Sequence, residues 1–326
     1  MEFWLDEIIR KSGIPYPLFF GLMALLLYLL GIPFMIATNN LQFFISDPMW
    51  GVVAIFGALN GILVVFVFRK FSDAISGIEH LMSSDDDHKI SDRLLGYLNN
   101  KVYWIVVFFW LALNFIESPR LMRWWWFYNN PHLITIYELI ETLPCCIIGG
   151  IFMYMIPVGL TLAYRDLCMK VPIRKDALVS EWMNPFEDFR NLITLTMFGA
   201  AIYAVFPPSI WGSTGPTSII YWSVFVPYTG TAIVLIAAIL LPHYYFHRFF
   251  ANIKKTVLYD LGKELQKYSM KDDVNINKRI LILLEKGEAD RLKTWLVDVK
   301  TIGEILVVAV MHVLVVEALT ALIHFS

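Results

Sequence analysis

Residues 242–300 read PHYYFHRFFANIKKTVLYDLGKELQKYSMKDDVNINKRILILLEKGEADRLKTWLVDVK and form the long polar run between the last two apolar segments of the chain. This run holds twelve Lys and Arg residues, counted from Arg248 to Lys300. Proteins that cross a bilayer keep such cations on the cytoplasmic side. We therefore place residues 242–300 in the cytoplasm, and this placement sets the orientation of each hydrophobic segment before and after them.

The composition of the whole chain is that of an integral membrane protein. Hydrophobic residues make up 58% of the 326 residues and charged residues only 17%, whereas about a quarter of residues are charged in soluble domains. The net charge of -2 argues against a nucleic-acid partner and leaves the lipid bilayer as the first expected partner. The cysteines follow neither a disulfide nor a zinc pattern and are expected to be buried thiols: Cys145, Cys146 and Cys168.

Seven apolar segments are predicted to cross the bilayer, whose hydrocarbon core of about 30 Å needs roughly 20 helical residues. They are residues 18–37, 49–68, 102–116, 143–164, 192–206, 219–241 and 302–323. The third and fifth are short, so whether they cross fully is left open. The predicted fold is thus all-α: a transmembrane region over residues 1–241, cytoplasmic amphipathic helices over 242–300 and a last span within 301–326.

The distribution of cations between loops supports seven spans with a cytoplasmic N-terminus and an extracellular C-terminus in the cell membrane. In this arrangement 24 of the 26 Lys and Arg residues lie inside, and only Arg120 and Arg123 lie outside. A five-span alternative without the two short segments moves five cations outside. The N-terminal residues lack the basic start of a cleaved signal peptide. We expect a short helix at the membrane interface there, with Phe3, Trp4, Ile8 and Ile9 on its apolar face.

Several local patterns predict how the helices start, bend and pack. The sequence NPFED favours a helix start at Asn184, with Pro185 in its first turn. Glycines and a proline in the fourth span are typical of close helix packing and a bend: Gly149, Gly150, Pro157 and Gly159. Pro227 and Gly230 suit a kink, a hinge or a broken helix. In the polar run, apolar residues recur at helical spacing on three pieces: from Phe246 to Leu265, from Ile276 to Leu284 and from Leu292 to Val299.

Two groups of polar residues resemble sites but fit an ordinary structural role better. His243 and His247 have the i, i+4 spacing of two metal ligands, yet Tyr244 replaces the glutamate of a zinc-protease motif, so packing at the interface is favoured. Glu138 and Glu141, with His132 upstream, suggest an acid pair for a membrane-embedded enzyme. We expect them to be hydrated at the outer edge of the fourth span. No nucleotide, cofactor or catalytic signature is present, and no cofactor is predicted.

The last span carries the strongest candidate functional residues. His312 and Glu317 lie within an apolar helix, where a charged group costs about 2.5–3.5 kcal/mol. We expect both to face protein or water, together with Glu304 near the start of the span. A role in conduction, proton transfer or gating is one interpretation. The other is a hydrogen bond between helices, with Asn60 and Asn114 as the expected partners.

The topology resembles that of insect chemoreceptor-like seven-transmembrane ion channels, which also have an inside N-terminus, an outside C-terminus and a helical cytoplasmic block before the last span. The resemblance implies a tetramer whose last span lines the pore and whose cytoplasmic helices form a shared anchor. Those receptors have a Thr-Tyr to Gln-Phe pattern in the last span, whereas the glutamines of this chain are Gln42 and Gln266. No individual residue role is therefore carried over.

The leading hypothesis is a homo-oligomeric ion channel or transport-related protein, with pore or gating candidates His312, Glu317, Glu304, Asn60 and Asn114. The alternative is a non-conducting membrane sensor or scaffold that binds a cytoplasmic protein partner through residues 243–300. The third hypothesis is the membrane-embedded enzyme, and the sequence favours a protein that is not an enzyme.

Overall fold

The computed structural model describes residues 3–46, 49–82, 87–109, 111–112, 131–173, 184–196, 219–268, 273–295 and 303. Within these ranges the chain is helical and forms no β-strand, apart from one isolated bridge between Met82 and Ile173. The predicted all-α class is confirmed for this part of the chain. The helices are α1 (Trp4–Ser12), α2 (Tyr16–Ala37), α3 (Leu41–Ser46), α4 (Met49–Ile78), α5 (Asp87–Leu98), α6 (Pro131–Tyr154), α7 (Thr161–Lys170), α8 (Ile219–Leu265) and α9 (Asp273–Arg291).

Shorter helical pieces join or flank these elements. A π-helix, Met155–Leu160, connects α6 directly to α7, and 3-10 turns cover Glu79–Leu81 and Asn184–Phe186. Residues 103–109 and 187–196 are also helical. At the predicted helix start NPFED, residues Asn184–Phe186 form a 3-10 turn that leads into the helix over 187–196.

Three helical stretches in the described residues are long and apolar enough to cross a membrane: Tyr16–Ala37, Ala54–Leu81 and Leu139–Lys170. They correspond to the first, second and fourth predicted spans. The fourth begins earlier than the predicted residue 143 because α6 starts at Pro131, and it continues to Lys170 because the π-helix joins α6 to α7. The predicted segment 219–241 lies within α8, while 102–116, 192–206 and 302–323 lie partly or almost wholly outside the described residues. The count of seven spans stays a prediction.

Glycines bring the helices of this bundle into close contact. A Cβ atom on Gly150 of α6 would lie 2.7 Å from the Val107 Cα atom, so the backbone of 103–109 runs directly against α6. On α4, Gly57 meets the Cys145 side chain and Gly61 meets the Phe20 ring. Small residues are typical of helix interfaces in membranes, because dispersion contacts there replace the hydrophobic effect.

Helix α1 packs against the end of α4. The Phe3 ring stacks on Phe68 with centroids 5.0 Å apart, and the Asp6 carboxylate pairs with Arg69 at 2.6 Å. The predicted amphipathic helix is thus confirmed, but its apolar face differs from the prediction. Leu5 is buried with Phe3 and Ile9, whereas Ile8 is 48% exposed, because the helix rests on protein on one side only.

An aromatic cluster joins several elements at the same end of the bundle. Phe71 of α4 makes edge-to-face contacts with Tyr164 of α7 and with Phe189. Phe246 and Phe250 of α8 pack against Phe186. Three cations lie next to this cluster, at the end of the bundle that we call the basic end: Arg69, Arg165 and Lys170. The N-terminus, the ends of α4 and α7, residues 184–189 and the second half of α8 therefore share one end of the bundle.

Helix α8 is a single helix of 47 residues. At 1.5 Å per residue it is about 70 Å long, roughly twice the hydrocarbon thickness. It continues through Pro227 and Gly230, so the broken-helix interpretation of these residues is wrong. It also continues past Pro242 into the polar run. Phe246, Phe250 and Ile253 are buried as their spacing predicts, while Val257 and Leu261 are half-buried.

Helix α9 lies against the far part of α8, and cations of each helix satisfy carbonyls at the end of the other. Lys254 donates to the Asp290 and Leu292 carbonyl oxygens at 2.5 and 3.2 Å. Arg279 donates to the Leu265 and Tyr268 carbonyls at 3.4 and 2.8 Å. The last carbonyls of a helix lack partners within the helix and carry partial negative charge, so cations are favoured there.

The face of α9 that contacts protein differs from the prediction. Ile282 and Ala289 are buried, whereas the predicted apolar face is exposed by 38–61%, over Ile276, Ile280, Leu283 and Leu284. These four residues recur at i, i+4, i+7 and i+8, on the side of α9 opposite Ile282. The spacing correctly indicated an apolar face, but it does not say which neighbour covers that face. We call these four residues the α9 face.

Candidate functional site

Only one of the predicted pore or gating residues lies in the described part of the chain. Asn60 is buried within α4, between Gly57 and Gly61, at the level where α4 meets α2 and α6. Asn114, Glu304, His312 and Glu317 lie outside the described residues. Their roles stay predictions.

Asp166 is the centre of a charged cluster at the basic end. Its side chain is 1% exposed, and Tyr97 of α5 donates a hydrogen bond to Oδ2 at 2.6 Å. Lys170, one turn later on α7, contacts Oδ1 at 2.9 Å, and Arg165 contacts the same oxygen at 3.3 Å. The hydrogen bond to Asp166 raises the pKa of Tyr97, because only the neutral phenol has a proton to donate, and burial raises it further. Tyr97 is therefore a neutral donor over the physiological pH range.

The π-helix places Asp166 in this position. Pro157 lacks the backbone N–H that an α-helix needs at this point, so the ladder of hydrogen bonds shifts. Two residues later, a Cβ atom on Gly159 would lie 3.0 Å from the Tyr97 carbonyl oxygen. Gly159 thus allows α5 to approach closely enough for the Tyr97 hydroxyl to reach α7. The predicted packing role of Gly159 is confirmed.

A second polar group lies inside the bundle, between α2 and α6. Glu141 is 1% exposed, and the Tyr137 ring one turn before it is fully buried. The Tyr137 hydroxyl donates to the Leu27 carbonyl oxygen at 3.1 Å, and Glu141 follows one turn later on the same helix. The expectation that Glu141 is hydrated at the edge of a span is wrong. It fails because α6 starts at Pro131, twelve residues before the predicted span, so Glu141 lies inside the helix interface.

Space for the Tyr137 ring comes from Gly31 on α2. A Cβ atom there would lie 2.6 Å from both the Tyr137 Cζ and Oη atoms. Phe44 of α3 closes the ring from another side, with centroids 6.0 Å apart. The Tyr137 hydroxyl is therefore held at the α2 backbone, one turn before Glu141.

The two histidines near the start of the polar run are packed among aromatic and apolar groups. His243 is 1% exposed, and burial lowers its pKa to about 4, so it is neutral at neutral pH. The His247 ring stacks on Trp295 at 4.1 Å between centroids. In the described ranges no group of three or more His, Cys, Asp and Glu side chains could hold a metal ion. The preferred interpretation of these histidines, interfacial packing, agrees with these contacts.

The sequence missed the Asp166 cluster and misplaced Glu141. A local signal for the cluster exists, because Asp166 and Lys170 have the i, i+4 spacing of a helical ion pair. Nothing in the sequence connects them to Tyr97, which is 69 residues away. Glu141 has a signal too: Tyr137, Glu141 and Cys145 recur every fourth residue and therefore share one face of α6.

Comparisons of the chain with protein-family models, with curated proteins and with solved structures gave no match. In the part of the chain that the structure describes, the fold is helical, with three apolar helices long enough to cross a membrane.

Proposed function

We propose that the chain is a seven-span membrane protein that assembles with copies of itself and conducts ions along its last span. The basic end then faces the cytoplasm, since most cations of a membrane protein lie there. Helices α8 and α9 extend from this end into the cytoplasm. The observation that carries the proposal is the α9 face, which lies on the water-filled side of the membrane in this orientation.

An apolar helix face in water is a binding surface. Four large aliphatic residues at i, i+4, i+7 and i+8 have the spacing of a helix-to-helix contact. Surface patches of this kind mark interaction sites in soluble parts of proteins. A second copy of the chain is the occupant that we propose, because a conducting path requires several copies of the last span around one axis.

The packing of the described helices supports a path outside this bundle. Gly57, Gly61 and Gly150 bring side chains and backbones of neighbouring helices into direct contact. Such contacts leave no room for water between α4 and α6 at Gly57, between α4 and α2 at Gly61, or between α6 and residues 103–109 at Gly150. The polar residues predicted in the last span, His312 and Glu317, are then the groups expected to meet water and ions.

A double substitution on the α9 face tests the assembly. In mild detergent, the wild-type chain is expected to scatter light as an oligomer, and Ile280→Glu with Leu284→Glu is expected to shift the mass to that of one chain. Each carboxylate would have to be buried in the contact, which costs several kcal/mol when it is unpaired. The matched control is Tyr259→Glu, because Tyr259 is exposed on α8 and lies outside the α9 face.

The alternative function is a non-conducting scaffold that binds a cytoplasmic protein through residues 243–300. The same exposed α9 face favours it, since the face suits any amphipathic partner helix. A wild-type chain that is monomeric in several mild detergents would remove the homo-oligomer and leave the scaffold. Equal masses for the wild type and the α9 double variant would show that the assembly uses another surface.

A further inference from the structure

We propose that α1 and the helix over residues 103–109 together form a phospholipid-binding surface at the basic end, at the boundary between lipid headgroups and acyl chains. We call this surface the interface patch, and its members are Trp4, Ile8, Trp104, Ile105 and Phe108. The proposal concerns the contact of the chain with the bilayer. It requires that α2 crosses the bilayer, and it goes beyond self-assembly and conduction, on which it does not depend.

Ring contacts join the two helices of the interface patch. Trp4 of α1 stacks on Trp104 with centroids 6.4 Å apart and ring planes 17° apart, and Trp104 contacts Phe108 at 6.4 Å. Val107 is buried in the bundle, whereas Ile105 and Phe108 are each 68% exposed. The two helices therefore present one continuous apolar surface that the described part of the chain leaves uncovered.

The contacts of α1 place the interface patch at the level where α2 begins. Only residues 13–15 separate α1 from Tyr16, the first residue of α2. The Asp6 carboxylate pairs with Arg69 at 2.6 Å, and the Arg69 guanidinium lies over the Tyr16 ring, 5.1 Å from its centroid. Helix α2 has 22 residues and is about 33 Å long, close to the hydrocarbon thickness. When α2 crosses the bilayer, α1 therefore lies among the headgroups.

The chemistry of the interface patch suits phospholipid better than a second copy of the chain. Tryptophan is enriched at membrane–water interfaces, because its ring is apolar and its N–H is polar. Exposed cations lie within three residues of patch members and match the charge of lipid phosphates: Arg10, Lys11 and Lys101. A symmetric contact between two copies would instead bring these like charges together, which is unfavourable.

Nitroxide spin labels on the full-length protein in vesicles of phosphatidylcholine and phosphatidylglycerol test the interface patch. Collisions of the label with O₂, which concentrates in lipid, are compared with collisions with a water-soluble nickel chelate. For Ile8→Cys and Phe108→Cys we expect a ratio of O₂ to nickel collisions several-fold higher than for Arg10→Cys. Arg10 is the matched control, because it is exposed on the same helix and lies about 200° around it from Ile8. Wild-type protein treated with the label gives the background from the native cysteines.

Two results would overturn the proposal. Equal ratios for Ile8→Cys and Arg10→Cys would mean that both sides of α1 meet the same medium. A label at Ile8 that neither reagent reaches, or a disulfide between copies at this position, would mean that protein covers the interface patch. Ile8 and Phe108 are exposed side chains on different helices, so Phe108→Cys reports on the same surface if a change in α1 prevents folding.

Discussion

Gly150→Ala is expected to lower the midpoint of thermal unfolding in detergent by roughly 2–5 °C. The added methyl group would lie 2.7 Å from the Val107 Cα and Cγ2 atoms and 3.1 Å from its backbone nitrogen. Backbone atoms cannot move aside as a flexible side chain can, so α6 and residues 103–109 must separate. Overpacking of this kind costs about 1–3 kcal/mol, and more when two helices have to shift.

Gly21→Ala is the matched control, because it makes the same change in another apolar helix, α2, that is long enough to cross a membrane. Nothing lies within 4 Å of the position that its Cβ atom would occupy. Alanine has the better helix propensity by up to about 1 kcal/mol, so this variant should be as stable as the wild type or more so. If Gly150→Ala and Gly21→Ala unfold at the same temperature, the close approach of residues 103–109 to α6 is wrong.

Asp166→Ala is expected to destabilise the protein by about 2–3 kcal/mol. The largest part comes from Tyr97, whose hydroxyl loses a charged acceptor at 2.6 Å and remains partly buried. Arg165 and Lys170 are 40% and 54% exposed, so water screens them and their share is small. Tyr97→Phe should lose much of the same stability, and the double variant should lose less than the sum of the two.

Asp73→Asn provides the control for a carboxylate at the surface. Its side chain is 65% exposed and lies 3.9 Å from the Lys70 ammonium group, so its removal should change the stability by about 0.5 kcal/mol or less. Thermal unfolding of Asp166→Ala, Tyr97→Phe, their double variant and Asp73→Asn in one detergent measures the stability lost at Asp166 and at Asp73. Equal losses for Asp166→Ala and Asp73→Asn would mean that the cluster at the basic end contributes no more than a surface ion pair.

The sequence predicted the features that depend on local pattern. Helical class, the helices at 18–37 and 49–68, the packing of Gly150 and Gly159 and the helical turn at Asn184 all follow from apolar length, small residues or local sequence pattern. These signals lie within one turn or one segment. Arg69 and Arg165 lie at one end of the bundle, next to the aromatic cluster, which is compatible with the predicted orientation, and the orientation itself stays a prediction.

The sequence could not predict the features that depend on contact between distant segments. The exposure of Ile280 and Leu284 was missed because helical spacing gives the apolar face but not its neighbour, and α8 contacts Ile282 instead. Glu141 was expected in water because it lies just before the continuous apolar run that begins at residue 143. The buried helix interface extends beyond that run, so Glu141 lies inside it. The bond between Tyr97 and Asp166 depends on a π-helix, which a pattern of α-helical period does not show.

Ion flux through the purified protein in liposomes tests the central claim most directly. The account predicts cation flux that depends on pH, with Glu317 favouring cations and His312 changing charge near neutral pH. Glu317→Gln should then reduce the preference for cations, and His312→Ala should flatten the pH response, while Glu288→Gln on the exposed surface of α9 changes neither. Flux that none of these substitutions alters would place the path elsewhere, and the absence of any flux from correctly oligomeric protein would contradict the account.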